Sequence, residues 1–155
     1  MAVYSTNNAL AGTQQAMSGT YKTLLALTAA TATLTNAMIN EIDIGTNGTP
    51  ADNYMELDVS RQTAAGTSTS ATPNPTDGAK RAAGTVGSVN FTAEGTITAA
   101  SSLLYMPWNQ RASYRFVANP GNELVIPATN LAGLAIRCRS GGYTGTTGVT
   151  AFHVE

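Results

Sequence analysis

"YMELDV", residues 54–59, decides the fold class. Successive side chains of an extended chain point to opposite faces, so Met55, Leu57 and Val59 share one side and Tyr54, Glu56 and Asp58 the other. The apolar side needs a second layer to cover it, and the polar side reads as a solvated face. The pattern recurs downstream. Leu134, Ile136 and Cys138 oppose Ala135, Arg137 and Arg139, and Phe152 and Val154 oppose His153 and Glu155. Upstream, Met38, Asn40, Ile42 and Ile44 mark a strand broken by Gly45-Thr46-Asn47-Gly48. Leu103–Met106, Tyr114–Val117 and Glu123–Ile126 add three more, and the last two flank Asn119-Pro120-Gly121-Asn122, which reads as the tight turn of a hairpin.

Helical periodicity is weak. Ala9–Met17 fits a short helix, while Leu24–Leu34 fits either state, its threonines favouring a strand. Short strands separated by Gly, Pro and Asn predict an all-β chain, a single β-sandwich over residues 1–155 and a jelly roll of about eight strands. Residues 1–20 are expected to form an extended N-terminal arm. Residues 62–90, rich in Gly, Ser, Thr, Ala and Pro, read as a long loop. Fixing a backbone costs about 1–2 kcal/mol per residue, and these small side chains bury little in return, so the loop is expected to order only against a neighbour.

Composition points to association. Charged residues are 11% of the chain, against about 25% in ordinary domains, and the formal net charge is -1. A quiet, weakly charged exterior favours packing against other molecules. The single cysteine, Cys138, excludes an intrachain disulfide framework. The opening MAVYSTNNALAG lacks the basic and apolar segments of a secretory signal, and Leu24–Leu34 is too short and too rich in Thr to span a bilayer. Synthesis in the cytoplasm, with no membrane partner, is expected.

Chemistry finds little support. His153, the only histidine, would have to serve as the base of any nucleophilic site, and it lies in a terminal strand expected to fray. It reads as a surface residue, and Cys138 as an apolar filler. The pairs Glu41/Asp43 and Glu56/Asp58 have the residue types for glycoside hydrolysis or calcium, yet any solvated strand face produces them, with Arg61 or Arg115 as ion-pair partners. No phosphate-cradling or dinucleotide motif is present, so no enzyme activity, cofactor or metal is expected. Arg111, Arg115, Arg137 and Arg139, near Tyr105, Trp108 and Tyr114, have the types for a nucleic-acid stripe, but nine acidic groups against eight basic ones argue against such a partner. These arginines with Lys80, Arg81 and Trp108 are instead expected at a subunit interface. Trp108 beside Pro107 also fits a core plug or a sugar-stacking platform.

The run "MPWNQRASYRFVANPGNELVIPATNLAGLAIRCRSGGYTGTTGVTAFHVE", with "PADNYMELDVSRQTAAGTSTSATP" upstream, resembles small virion structural proteins of tailed bacteriophages. Asn109-Gln110-Arg111, Arg115-Phe116-Val117-Ala118, Pro120-Gly121 and Glu123-Leu124-Val125-Ile126-Pro127 carry the likeness. The resemblance implies a jelly-roll capsid decoration, or cement, protein on the outside of the head. It implies the major capsid protein as partner and a homo-oligomer, a trimer by preference. A tail- or fibre-associated module that binds host glycan, and a head-to-tail or tail-tube component, are the alternatives.

Overall fold

The computed structural model describes residues 2–9, 14–32, 37–78 and 81–155. Twelve strands run in chain order: β1 (Val3–Asn7), β2 (Lys22–Ala29), β3 (Met38–Asn47), β4 (Tyr54–Ala64), β5 (Thr67–Ala71), β6 (Asn74–Pro75), β7 (Thr85–Ala93), β8 (Thr96–Asn109), β9 (Tyr114–Val117), β10 (Leu124–Val125), β11 (Gly133–Arg139) and β12 (Thr146–Val154). They form two six-stranded antiparallel sheets. One is ordered β6-β1-β12-β3, with β9 and β10 both on the far side of β3, and the other β5-β7-β2-β11-β4-β8.

Within these sheets lie the two four-strand sets β1-β12-β3-β9 and β2-β11-β4-β8. The chain alternates between them from β1 to β4, turns back beside β4 as β8, and alternates again through β9, β11 and β12. That is jelly-roll connectivity, two Greek keys wound into a sandwich. The inward rows meet in one core of Leu25, Leu27, Ile39, Ile42, Ile44, Met55, Leu57, Val59, Leu134, Ile136 and Cys138. Burial pushes the Cys138 thiol up to about 12, as suits an unreactive filler.

Four local expectations need correction. The stretch 62–90 is mostly structured: it finishes β4, supplies β5 and β6, and begins β7. Its small residues serve close packing. A Cβ at Gly66 would lie 2.0 Å from the Ala93 carbonyl oxygen, and one at Gly87 would lie 2.3 Å from that of Ala71. The supposed arm contains β1, an interior strand between β12 and β6, whose Tyr4 and Thr6 point inward. Of the helix expected over Ala9–Met17, residues 10–13 lie outside the described residues; the rest is not helical, and Ala16 bridges Thr146. Finally, β9 and β10 do not pair with each other. Both run along β3, Tyr114 opposite Ile44 and Leu124 opposite Ile39, so Asn119–Glu123 is an excursion from one edge. Pro120 starts its turn, Gly121 takes φ 88°, and the Asn122 N–H closes it on the Asn119 carbonyl at 2.9 Å.

His153 also departs from expectation, being fully buried. In β12 the inward row is Val149, Ala151 and His153, which turns Phe152 and Val154 outward. Polar company makes this tolerable. The imidazole stacks on Tyr4 with centroids 5.3 Å apart, and its Nε2 lies 2.8 Å from Thr85 Oγ1. Because the Thr85 hydroxyl donates to Glu155 at 2.7 Å, it accepts the Nε2–H. The chain ends are tied together beside this cluster by the Ala2 and Glu155 backbones, at 3.0 Å in both directions.

Glycines inside strands divide cleanly. A Cβ at Gly133 would fall 2.1 Å from the Leu27 carbonyl oxygen, and Gly87 is equally constrained. Gly45 and Gly148, directly opposite each other on β3 and β12, would meet nothing closer than 3.7 Å, and neither has positive φ. Strand glycine costs roughly 0.5–1 kcal/mol relative to alanine. Gly133→Ala is therefore expected to destabilise by about 1–3 kcal/mol, and Gly148→Ala to be neutral or stabilising by up to about 1 kcal/mol, read from urea denaturation midpoints.

The His153 cluster sets the acid response. Burial holds the imidazole below its ordinary 6.5, with Glu155 opposing. Burial raises the Glu155 carboxyl, but hydrogen bonds from the Gly84 and Thr85 N–H groups and the Thr85 hydroxyl outweigh it and leave the carboxyl below its usual range. In both cases the unfolded chain binds more protons, so stability falls as pH drops, first below about 6.5 through His153 and then through the carboxylate range. His153→Gln is expected to flatten the upper part of that slope, measured by urea melts between about pH 7.5 and 4.5.

Candidate assembly surface

The outer face of β4, β11 and β8 is set by the same alternation that fills the core. Arg137 stands opposite Asp58 and Arg139 opposite Glu56, all pointing away from the second sheet. Arg137 donates to Asp58 Oδ2 from Nε at 2.9 Å and Nη2 at 2.5 Å, and Ser60 donates to the same oxygen at 2.6 Å. Arg139 Nε donates to Glu56 Oε2 at 2.5 Å and the Tyr21 hydroxyl to the same atom at 3.0 Å. The Tyr21 ring receives both guanidinium groups, each 4.9 Å from its centroid. The Arg139 hydrogen bond holds the Glu56 carboxyl below its usual range. Burial, then the bond to Glu56, pushes the Tyr21 phenol up to about 12.

This ladder is neutral, and hydrophobic side chains stand beside it. On β8, Leu104, Met106 and Trp108 pack against the core, while Leu103 and Tyr105 stand outward. Tyr105 lies opposite Asp58 and is 53% exposed; Tyr54, at the start of β4, is 47% exposed. The corner ends in a shallow depression between Asp52, Tyr54, Pro107 and Asn109. Beyond it, β8 is the last strand of its sheet, and none of its fourteen residues is charged. Natural edges are usually guarded by Lys or other charges, because unpaired N–H and C=O groups invite another strand.

The residues expected at an interface do not form one patch. Arg137 and Arg139 lie together and pair with Asp58 and Glu56, the carboxylates for which Arg61 was an expected partner. Arg111, after β8, pairs with Asp52 at 3.0 Å where both are well exposed, a contact worth little. Arg115 lies on the other sheet, 2.7 Å from Glu41 and 3.6 Å from Asp43. Arg81 Nε reaches the Tyr4 hydroxyl at 3.5 Å beside the His153 cluster, and Lys80 lies outside the described residues. Trp108 faces inward as a core plug, its buried Nε1 without a partner among the described residues. Sequence reasoning placed Tyr54 on a solvated face and Tyr105 near the arginines, but missed that Tyr54, Leu103 and Tyr105 form one exposed group and that half-buried Tyr21 covers the ladder. The signal was present in β8, where Leu103 and Tyr105 are out of phase with Leu104, Met106 and Trp108.

No protein-family model matches this chain, and no curated protein or solved structure matches it.

The Arg137–Asp58 pair is mostly buried, with 19% and 7% of the side chains exposed. Arg137→Met, which strands the Asp58 carboxylate, is expected to cost about 3–5 kcal/mol, while the double variant with Asp58→Leu recovers most of that loss in urea denaturation.

Proposed function

We propose that this protein is a structural component of a tailed-phage virion, a decoration or cement protein that coats the assembled head as a homo-oligomer. The observation that carries the reading is the uncharged edge of β8 beside the outward Leu103, Tyr105 and Tyr54. Tyrosine, arginine and large apolar side chains without net charge are the composition of protein interface cores. The arginines beside this corner are already neutralised by their own chain, so a partner meets little ionic desolvation cost there. The jelly roll supplies a rigid plate, and the likeness of residues 51–155 to small phage virion proteins supplies the context.

On this reading the chain makes and breaks no bond. It is made in the host cytoplasm and binds the mature major capsid lattice, and whatever binds only the assembled state shifts the balance toward it. Heads lacking the protein are expected to release DNA at lower temperature, with resistance restored by adding the purified chain. The variant Leu103→Lys/Tyr105→Lys places two cations beside the edge and is expected to keep its melting temperature within a few degrees, as surface changes do, while failing to sediment with heads. Full head binding by that variant would remove the β8 corner from the interface, and unchanged heat resistance of bare heads would remove the cementing role.

A further inference from the structure

We propose that the outer face of the β1-β12-β3-β9 sheet carries a saccharide-binding groove, floored by Gly45 and Gly148 and walled by Asn7, Thr150, Asp43 and Arg115. The groove has a volume of about 640 Å³. It lies on the opposite side of the sandwich from the β4–β8 corner and does not depend on the virion reading.

Strand register builds it. Asn7 stands opposite Thr150, Thr150 opposite Asp43 and Asp43 opposite Arg115, a polar row across four strands. Two residues along, the row is the bare pair Gly148 and Gly45. Two further on, Thr146 faces Asn47, whose Nδ2 donates to Gln14 Oε1 at 2.8 Å. The result is a trough one side-chain row wide between polar rows roughly 13–14 Å apart, four residues at about 3.4 Å each. Packing among the described residues does not require glycine at either floor position, since an added Cβ would reach only ordinary contact distances there. An absent side chain that packing does not demand, at two facing sites in adjacent strands, leaves room for something from outside.

The walls select the chemistry. Amide and hydroxyl groups each donate and accept, as a sugar hydroxyl does. Arg115 donates from Nε to Glu41 at 2.7 Å and stands 3.6 Å from Asp43, whose side chain is 46% exposed. A guanidinium beside a carboxylate offers donor and acceptor together to neighbouring hydroxyls. An anion entering here meets Asp43 and Glu41, and a cation meets Arg115, whereas a neutral polyol meets a partner at each position. The glycine Cα atoms give the apolar contact that the C–H face of a sugar ring takes, while the Tyr114 ring packs against the core.

The full chain is tested on an array of neutral and acidic oligosaccharides, and the strongest is titrated by calorimetry. The expected result is binding of a neutral oligosaccharide, weakened about tenfold or more by Gly148→Val, which fills the floor, and by Asp43→Asn, which removes the acceptor charge. Melting temperatures should be unchanged. If Gly148→Val melts early, Asp43→Asn decides. Failure of the wild-type chain to bind any saccharide overturns the proposal, as does wild-type affinity in Asp43→Asn together with any folded Gly148→Val protein.

Discussion

The register of β4 against β11 is the constraint on which the rest of the molecule depends. Leu57 stands opposite Cys138 and Val59 opposite Ile136 on the inner side, while Glu56 meets Arg139 and Asp58 meets Arg137 on the outer. A slip of one residue would turn every one of these side chains over, drawing two arginines into the core and pushing Leu134, Ile136 and Cys138 out. Hydrophobic burial and ion pairing therefore specify the same register. Tyr21 completes the arrangement by covering both guanidinium groups, and the two pairs lose part of their solvent without losing their partners. With few charges to spend, the chain places them where they fix strand pairing.

That economy leaves the remaining exterior dominated by amides, hydroxyls and a few outward hydrophobic side chains. The two sheets then present unlike faces. One carries a neutral ladder running into the Tyr54, Leu103 and Tyr105 corner and an open strand edge; the other carries a polar trough. On the proposed reading the first faces the shell and the second is left free, so that docking and recognition share a rigid body without competing for the same surface.

How much of this was legible in the sequence follows from what a two-residue period can carry. Residues 54–59 and 134–138 announced both their strand character and their inward rows, because apolar and charged residues alternate there without ambiguity. His153 did not, since Phe152 and Val154 offered an equally apolar alternative face and only Tyr4 and Thr85, distant in the chain, together with nearby Glu155 decide between them. Periodicity also says nothing about partners. Tyr114–Val117 and Leu124–Val125 looked like the arms of a hairpin because of the Pro-Gly turn, yet β3 is long enough to pair with both in succession. In the stretch 62–90, small residues admit two opposite meanings, a flexible chain or backbones in close approach, and only the tertiary neighbours of Gly66 and Gly87 select the second. Gly45 shows the converse, a glycine that read as part of a strand break but lies within β3, facing Gly148 of β12.

The open edge raises a question that the local backbone answers. A long uncharged edge strand is an aggregation hazard. β8 limits the hazard without charge. Ala100 takes a φ of 54°, and the pairing with β4 shifts register repeatedly between Val59 and Ala64, so the first part of the strand is kinked out of line. Pro107 removes an N–H near the other end. Between the register shift at Leu103 and Pro107 only Leu104–Met106 remains as regular edge, enough for a specific contact beside outward Leu103 and Tyr105, but short for indiscriminate strand addition. On the proposed reading a lysine guard would give the same protection at the cost of a buried charge once the edge is covered, so geometry suits this edge better than charge.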